Sequence, residues 1–301
     1  MACFARKLLS DSTGGMMLRV GLIILLVLAS PLISVKASTM TGRTSPGEAS
    51  RVVSLGGTVT EIVYALGEGH RIVANDASSL YPEEATRLPR VGYYRELSLE
   101  GILSFHPDLV IASENAGPPD VLKRLRDMKV STVTVVDAPG IDSLLARVTA
   151  ISRVLGVEEK GVALRKRIQD SLNAVHGEPL VEQRALVVLH RGGPLMAAGT
   201  HTSADSLLQL SGLRNAADAF RGYKSLSEEA LVTLAPELII LTTSSLESAG
   251  GLSEFLQRPG VASTPAGRAG RVVAVDDLLL LGMGPRVAEA VTLLREAARA
   301  P

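Results

Sequence analysis

Short apolar runs alternate along the chain with segments whose apolar residues recur every three to four positions. From residue 51, the runs RVVSL, RIVAN, DLVIAS and STVTVV have the length and the β-branched content of buried strands, and the segments between them have helical periodicity. The alternation resumes after residue 183 with RALVVLH, ELIILTT and RVVAV. Parallel sheets with helices on their faces give this pattern, so we predict an α/β protein.

Residues 140–178 contain no strand-like run and divide the alternating pattern into two parts. Gly156 is the predicted break between two helices. The second helix, at about 158–175, would be about 27 Å long at about 1.5 Å per residue, which is enough to run along one side of two lobes. We therefore predict two similar Rossmann-like lobes, at 51–139 and 179–301, joined by a helical connector.

The first 37 residues have a different character. Arg6 and Lys7 precede the apolar run VGLIILLVLASPLISV, which is followed by the small-residue pattern VKAS. This arrangement is typical of a cleaved secretory signal peptide, because the run is shorter than the roughly 20 residues that a membrane span needs. We predict a signal peptide at 1–37, a polar, disordered leader at 38–50, and export of the mature chain from the cytoplasm.

Charge and composition exclude several classes of function. The chain has 31 basic and 31 acidic residues, so no broad attraction to nucleic acid is expected. Its single cysteine, Cys3, excludes intrachain disulfides and cysteine-based metal centres. The sequence has no G-x-S-x-G elbow, P-loop or H-E-x-x-H motif, so no enzyme is predicted. A secreted hydrolase that uses Asp, Glu and His is the alternative of a different class.

One stretch of sequence occurs twice. Residues 92–113 read GYYRELSLEGILSFHPDLVIAS and residues 222–243 read GYKSLSEEALVTLAPELIILTT. Three of the five tyrosines, Tyr93, Tyr94 and Tyr223, lie in these two copies. If a tyrosine loop, a helix and a strand follow one another once in each lobe, the lobes should flank a cleft. Ligands of open α/β sheets bind outside the carboxyl ends of the strands, so this cleft is the predicted site.

Tyr93, Tyr94 and Arg95 form the most unusual polar group in the chain. A phenol, with a pKa of about 10, is a poor ligand at neutral pH, but ferric iron is a hard Lewis acid that stabilises the phenolate. A nearby guanidinium favours the same anion. The Tyr-x-Arg spacing of Tyr93 and Arg95 can bring the two groups together in a loop. Two tyrosines that only pack their rings against a loop would give the same spacing, so the pattern alone leaves both interpretations open.

Five motifs in order resemble the periplasmic haem-binding proteins of bacterial ABC haem importers. They are VSLGGTVTEIVYALG, SLYPEEATRLPRVGYYRELSLEGILSFHPDLVIASENAGPP, AAGTHTSADSLLQLSG, GYKSLSEEALVTLAPE and AGRVVAVDDLLLLGMGPR, and the likeness extends over residues 51–298. The resemblance implies the helical-backbone fold of substrate-binding proteins, with haem as the transported ligand in the interlobe cleft. It also implies a periplasmic monomer that serves iron acquisition by delivering haem to a permease dimer at the inner membrane. A ferric siderophore or cobalamin is the alternative ligand within the class.

The resemblance also implies roles for single residues. Tyr93 is expected to bind the haem iron, with Arg95 hydrogen-bonding or orienting it, while Tyr94 falls at a variable position where its hydroxyl should matter little. His190, at the end of the run RALVVLH, is either a second iron ligand or cleft contact from the other lobe, or a plain strand-end histidine. Further ring contacts or propionate partners are expected at Met196, His201, Tyr223, Lys224, Met283 and Arg286.

Glu100 and Glu229 hold the same place in the two copies, seven residues before Pro107 and Pro236. Each should project from the helix that follows a cleft loop. The resemblance implies that these carboxylates dock onto arginines of the permease. The alternative role is to place negative charge in the first turn of a helix, where it favours the macrodipole.

Overall fold

The computed structural model describes residues 48–175 and 183–300. The predicted signal peptide at 1–37 and nearly all of the predicted leader at 38–50 lie outside the described residues. In the part of the chain that is described, no helix is both long and apolar enough to cross a membrane.

The first sheet has four strands, and all neighbouring strands are parallel. They are β1 (Val52–Leu55), β2 (Ile72–Asn75), β3 (Leu109–Ser113) and β4 (Ser131–Val135). Their order across the sheet is β2-β1-β3-β4. The four apolar runs of the first half of the chain are therefore confirmed as strands of one parallel sheet.

Within the described part of the first lobe, four α-helices and a turn of 3₁₀ helix at Gly69–Arg71 accompany this sheet. The α-helices are α1 (Gly57–Ala65), α2 (Glu83–Thr86), α3 (Leu99–Leu103) and α4 (Pro119–Asp127).

The second sheet is mixed. Its strands are β5 (Arg184–Leu189), β6 (Leu195–Ala198), β7 (Arg214–Asn215), β8 (Tyr223–Leu226), β9 (Leu238–Thr242) and β10 (Val272–Val275). The order is β10-β9-β5-β6-β8, with β7 also paired to β5. Strand β6 is antiparallel to both β5 and β8, so the second lobe adds an antiparallel edge that the first lobe does not have.

Eight helices accompany the second sheet in the described residues. They follow the connector helices α5 (Ile141–Val154) and α6 (Glu158–Val175). They are α7 (Ser203–Leu210), α8 (Glu228–Leu234), α9 (Thr243–Ser248), α10 (Leu252–Gln257), α11 (Pro259–Ala262), α12 (Pro265–Arg268), α13 (Asp277–Leu281) and α14 (Val287–Arg299).

The connector consists of α5 (Ile141–Val154) and α6 (Glu158–Val175), as predicted. Gly156 separates them with φ 70°, a left-handed conformation that glycine adopts without steric cost. On α6, Leu164, Ile168 and Leu172 are buried at four-residue spacing, so one face of the helix packs on the core.

Interior strands such as β3 read as continuous apolar runs because both of their faces are covered. In β3, Leu109 and Ile111 belong to one buried cluster, while Val110 and Ala112 belong to another on the opposite face. The cluster that contains Leu109 also includes residues of the connector and of the second sheet, so one apolar core continues from lobe to lobe. The predicted fold class, two α/β lobes joined by a long helix, is confirmed.

Candidate ligand-binding cleft

A cleft of about 620 Å³ lies between the two lobes. This volume falls within the range of roughly 300 to 1,000 Å³ that small-molecule sites occupy. Ser113 at the end of β3 and Leu189 at the end of β5 both line it. The cleft therefore lies at the carboxyl ends of strands from both sheets, which is where the sequence places the site.

The loop that carries the first two tyrosines is held at both of its ends. Gly92 begins it with φ 95°, and its carbonyl accepts the Ala77 N–H at 2.7 Å. The Gly117 N–H donates to the Tyr94 carbonyl at 2.9 Å, and the Glu96 N–H closes a turn onto the Tyr93 carbonyl at 2.8 Å. The backbone is thus fixed, and the two phenols are presented to the cleft by a preformed turn.

Tyr93 and Tyr94 are half-buried, and both line the cleft. Their ring centroids are 5.0 Å apart with an interplanar angle of 77°, the edge-to-face arrangement that aromatic pairs favour. The ring packing orients each phenol by contact with the other.

Arg95 donates from Nε to the Tyr94 hydroxyl at 3.0 Å, and its guanidinium carbon lies 5.2 Å from the centroid of the Tyr94 ring. The spacing suggested Tyr93 as its partner, yet within the described residues Arg95 forms no hydrogen bond to the Tyr93 hydroxyl. Burial raises the pKa of Tyr94, and Arg95 opposes part of this rise. Burial acts to lower the pKa of Arg95, but the charge and the hydrogen bond of Tyr94 leave it raised.

Tyr223 reaches the same cleft from the second lobe, but from a strand rather than a loop. It is the first residue of β8, opposite Ala198 of β6, and its side chain is 38% exposed. The surrounding protein nevertheless desolvates the phenol and raises its pKa, while Arg95 and Arg191 act in the opposite direction. The interpretation of GYKSL as a loop is therefore wrong, because the segment pairs with β6.

Arg191 lines the cleft and was missed by the sequence reasoning. It directly follows His190, in the exposed turn between β5 and β6. The sequence feature that predicts Arg191 as a cleft residue is its position just after the carboxyl end of a strand, next to His190.

His190 is buried behind the cleft lining. It is 6% exposed, and its neighbours Leu189 and Arg191 are among the described residues that line the cleft, whereas His190 is not. Its Nε2 lies 3.3 Å from Nη2 of Arg258, and since a guanidinium can only donate, Nε2 is the acceptor and the proton is on Nδ1. This contact occupies the nitrogen that an iron ligand would use, so the placement does not favour ligation.

Met196 lines the cleft from β6, as expected, but Met283 does not. Met283 is 1% exposed and belongs to the apolar core shared by the lobes, with φ 47°. The expected contact between Met283 and the ligand is therefore not what the structure shows, because the side chain packs inward.

Arg286 is engaged away from the cleft lining. Its backbone N–H and its Nε both donate to Glu61 Oε1 at 3.2 Å, and its guanidinium carbon lies 3.6 Å from the centroid of the Tyr81 ring. Burial raises the pKa of Glu61, against which Arg286 acts. This contact joins α1 of the first lobe to the turn before α14 of the second. Thr58 adds a hydrogen bond from its hydroxyl to the Gly282 carbonyl at 2.8 Å. The structure thus gives Arg286 an interlobe structural role instead of a propionate contact.

His201 and Lys224 are both exposed, and neither belongs to the described lining of the cleft. His201 has φ 61° in the turn before α7. Lys224 follows Tyr223 on β8, and successive side chains of a strand point to opposite faces, so it faces away from the cleft that Tyr223 lines.

Two further polar residues form the floor of the cleft. Arg147 of α5 is 1% exposed and donates from Nη1 to Asp137 Oδ1 at 2.6 Å. Asp137 in turn accepts the Ser113 hydroxyl at 2.7 Å. Burial lowers the pKa of Arg147, while Asp137 acts to raise it. The sequence did offer a signal for this pair, because Arg147 lies three residues after Leu144 on the apolar face of its helix.

Glu100 and Glu229 are exposed and occupy equivalent positions in their helices. The hydroxyl of Ser98 accepts the Gly101 N–H at the start of α3, and the hydroxyl of Ser227 accepts the Ala230 N–H at the start of α8, each at 3.2 Å. Both glutamates therefore lie in the first turn of a serine-capped helix.

Comparison with solved structures finds close likeness in fold. The periplasmic heme-binding protein RhuT from Roseiflexus sp. RS-1 has 37% identity and a TM-score of 0.78, over 83% of this chain and 100% of that one. The periplasmic heme-binding protein BhuT, in complex with two hemes, has 39% identity and a TM-score of 0.77, over 82% of this chain and 97% of that one.

Comparison with known sequences gives more distant relatives. The ABC transporter substrate-binding lipoprotein YvrC of Bacillus subtilis is 28% identical over 256 residues, which cover 83% of this chain and 80% of YvrC. A vitamin B12-binding protein of Yersinia pestis is 27% identical over 202 residues, which cover 66% of this chain and 72% of that protein. The family model described as "Periplasmic binding protein" matches residues 52–278. The chain therefore belongs to the periplasmic binding protein family.

Proposed function

We propose that this protein captures haem in the interlobe cleft and delivers it to an ABC transporter. The observation that carries the proposal is the pair of phenols, Tyr93 and Tyr94, that a preformed loop presents to a cleft of about 620 Å³ beside Arg95. Phenolates of tyrosine are established axial ligands of ferric haem. Two solved structures with 37% and 39% identity are heme-binding proteins, which supports haem as the ligand.

Tyr93 is the proposed iron ligand. When its hydroxyl binds ferric iron it gives up its proton to solvent through the open cleft, because the metal ion stabilises the phenolate. The edge-on contact with Tyr94 holds the ring in place, and the turn fixed at Gly92 and Gly117 holds the backbone. Little ordering of the protein is then needed upon binding, which favours affinity.

The opposite wall supplies the remaining contacts. Tyr223 and Met196 offer an aromatic and a thioether surface to the second face of the macrocycle. Arg191 is exposed at the cleft rim, and its guanidinium is suited to a propionate. A carboxylate held there gains a charge-assisted hydrogen bond, which is roughly twice as strong as a neutral one.

The proposal extends to cellular context. The protein is exported to the periplasm through a cleaved signal peptide at 1–37, acts as a monomer, and docks onto a permease dimer through Glu100 and Glu229. The equivalent exposed positions of these two carboxylates, one in each lobe, support the docking role. Exposed ion pairs contribute only about 0.2 to 1 kcal/mol each, so they would set orientation more than affinity.

Cobalamin is the second candidate ligand, favoured by the likeness to a vitamin B12-binding protein at 27% identity. In that case the tyrosines would pack on the corrin ring and leave the metal to other ligands. Competition separates the two candidates. The protein should bind haemin tightly in an absorption titration, and an excess of cyanocobalamin should not displace it. Displacement by cyanocobalamin, or no binding of haemin, would favour the second candidate.

A further inference from the structure

The guanidinium of Arg95 lies beside two tyrosines of the cleft and hydrogen-bonds to one of them. Arg95 hydrogen-bonds to the Tyr94 hydroxyl at 3.0 Å, and the Tyr94 ring contacts the Tyr93 ring at 5.0 Å between centroids. Arg95 lies two residues after Tyr93 in the same loop, while its hydrogen bond is given to the neighbouring Tyr94.

The backbone around these side chains is fixed. The carbonyls of Gly92, Tyr93 and Tyr94 each accept a backbone N–H, and the Leu97 N–H donates to the Gly117 carbonyl at 2.8 Å. With the backbone fixed, a change of partner by Arg95 would take place through its own side chain, which is exposed at the cleft.

We propose that the Tyr94 hydroxyl competes with the Tyr93 phenolate for Arg95 and thereby weakens haem binding to a level that still allows release. This inference rests on the proposed function. Tyr94 is then a positioning residue: it acts on the iron ligand through Arg95. A phenol at this position has a specific effect, since a phenylalanine would keep the ring contact and leave Arg95 without its present hydrogen-bond acceptor.

The competition predicts the direction in which haemin affinity changes when the Tyr94 hydroxyl is removed. Tyr94→Phe releases Arg95 to hydrogen-bond to the phenolate oxygen on iron, so haemin should bind about three- to tenfold more tightly than to the wild type, the range expected for the net contribution of one hydrogen bond. The phenolate-to-iron charge-transfer band should move to shorter wavelength, because a hydrogen bond stabilises the phenolate electrons.

A double-mutant cycle tests whether the effect of Tyr94 on haemin affinity depends on Arg95. Arg95→Gln should cost little affinity in the wild-type background, within about threefold, and about three- to thirtyfold in the Tyr94→Phe background, where it also removes the gained hydrogen bond. Tyr223→Phe is the matched control, because it removes a cleft phenol that has no hydrogen bond to Arg95 in the described structure; it should not tighten binding. Thermal unfolding of each variant checks that it folds.

The outcomes separate this inference from the proposed function. If haemin does not bind the wild type, the proposed function fails and this inference fails with it. If haemin binds without a phenolate band, the proposed function stands, but the assignment of Tyr93 as the iron ligand fails together with this inference. If the wild type shows the band but Tyr94→Phe binds haemin equally well or more weakly, only the competition is overturned. Tighter binding that is additive with Arg95→Gln and leaves the band in place would also overturn it, because the effect would not pass through Arg95.

Discussion

The two copies of the repeated sequence fold alike in their second halves and differently in their first. In both, a serine caps a short helix that leads into a central parallel strand, α3 into β3 and α8 into β9. Before the helix, however, GYYREL forms a turn held by Gly92 and Gly117, whereas GYKSL forms the edge strand β8 paired with β6. Similar sequences thus place a tyrosine in a loop in one lobe and in a strand in the other.

The conformation of each copy of the repeated sequence is therefore decided by the segments with which it forms hydrogen bonds. The turn at Tyr93 is fixed by carbonyls and amides of neighbouring loops, and β8 exists because β6 offers an open edge. The pairing of β8 with β6 fixes the face on which the Tyr223 side chain lies, whereas the position of Tyr93 is fixed by the turn. We expect the loop side to bind the metal and the strand side to provide a packing surface.

The largest effect should come from the phenols themselves. Tyr93→Phe should weaken haemin binding by about 100-fold or more, because loss of a metal ligand costs more than the roughly 10- to 100-fold of an outer partner. Tyr223→Phe should cost less than about tenfold, since it keeps the ring. Absorption titrations measure both, and equal losses would show that the two lobes contribute equivalent ligands.

A smaller effect is expected at Arg191. Arg191→Gln should weaken haemin binding by about three- to tenfold through loss of a charge-assisted hydrogen bond. Haemin dimethyl ester, which carries no propionate charge, should bind the wild type and the variant equally well. If the ester distinguishes the two proteins, Arg191 does not contact a propionate.

Glu100 and Glu229 lie in the helices that both copies of the sequence form, and substituting them tests whether these helices dock onto the permease. Glu100→Ala combined with Glu229→Ala should leave haemin affinity unchanged, because both side chains are exposed outside the described cleft lining. Import by a reconstituted transporter should fall several-fold, with two exposed pairs of at most about 1 kcal/mol each. Import at the wild-type rate would remove the docking role.

The smallest effect concerns the caps that the two copies share. Ser98→Ala and Ser227→Ala should each lower the free energy of unfolding by about 1 kcal/mol, the usual cost of losing a side-chain cap. Urea denaturation measures this cost. Ser263→Ala is the control for loss of an exposed hydroxyl outside both copies, because Ser263 donates to the Pro259 carbonyl and does not cap the start of a helix. A much larger loss at only one serine would mean that the helices are not equivalent.

Much of the fold could be predicted because its determinants are local. The strands β1, β3, β5 and β9 are continuous apolar runs, and Gly156 marks a left-handed break between two helices. Strand β8 could not be found in this way, since YKSL has little apolar content and forms through pairing with residues 25 to 31 positions earlier in the chain.

The candidate site was predictable to a lesser degree. Tyr93, Tyr94 and Tyr223 do meet in one cleft, as the repeat indicated. The partner of Arg95 was not readable from spacing, because rotation about a side chain decides between two adjacent hydroxyls. Met283 and Arg286 were misplaced because a motif at a loop does not show which side chains turn inward to the core or across to the other lobe.

The most direct test of the account is the visible spectrum of the ferric haem complex. We predict that haemin with the wild-type protein gives a charge-transfer band of high-spin iron bound to phenolate, that Tyr94→Phe keeps a phenolate band, and that Tyr93→Phe loses it. A phenolate band that persists in Tyr93→Phe would contradict the assignment of Tyr93 as the iron ligand.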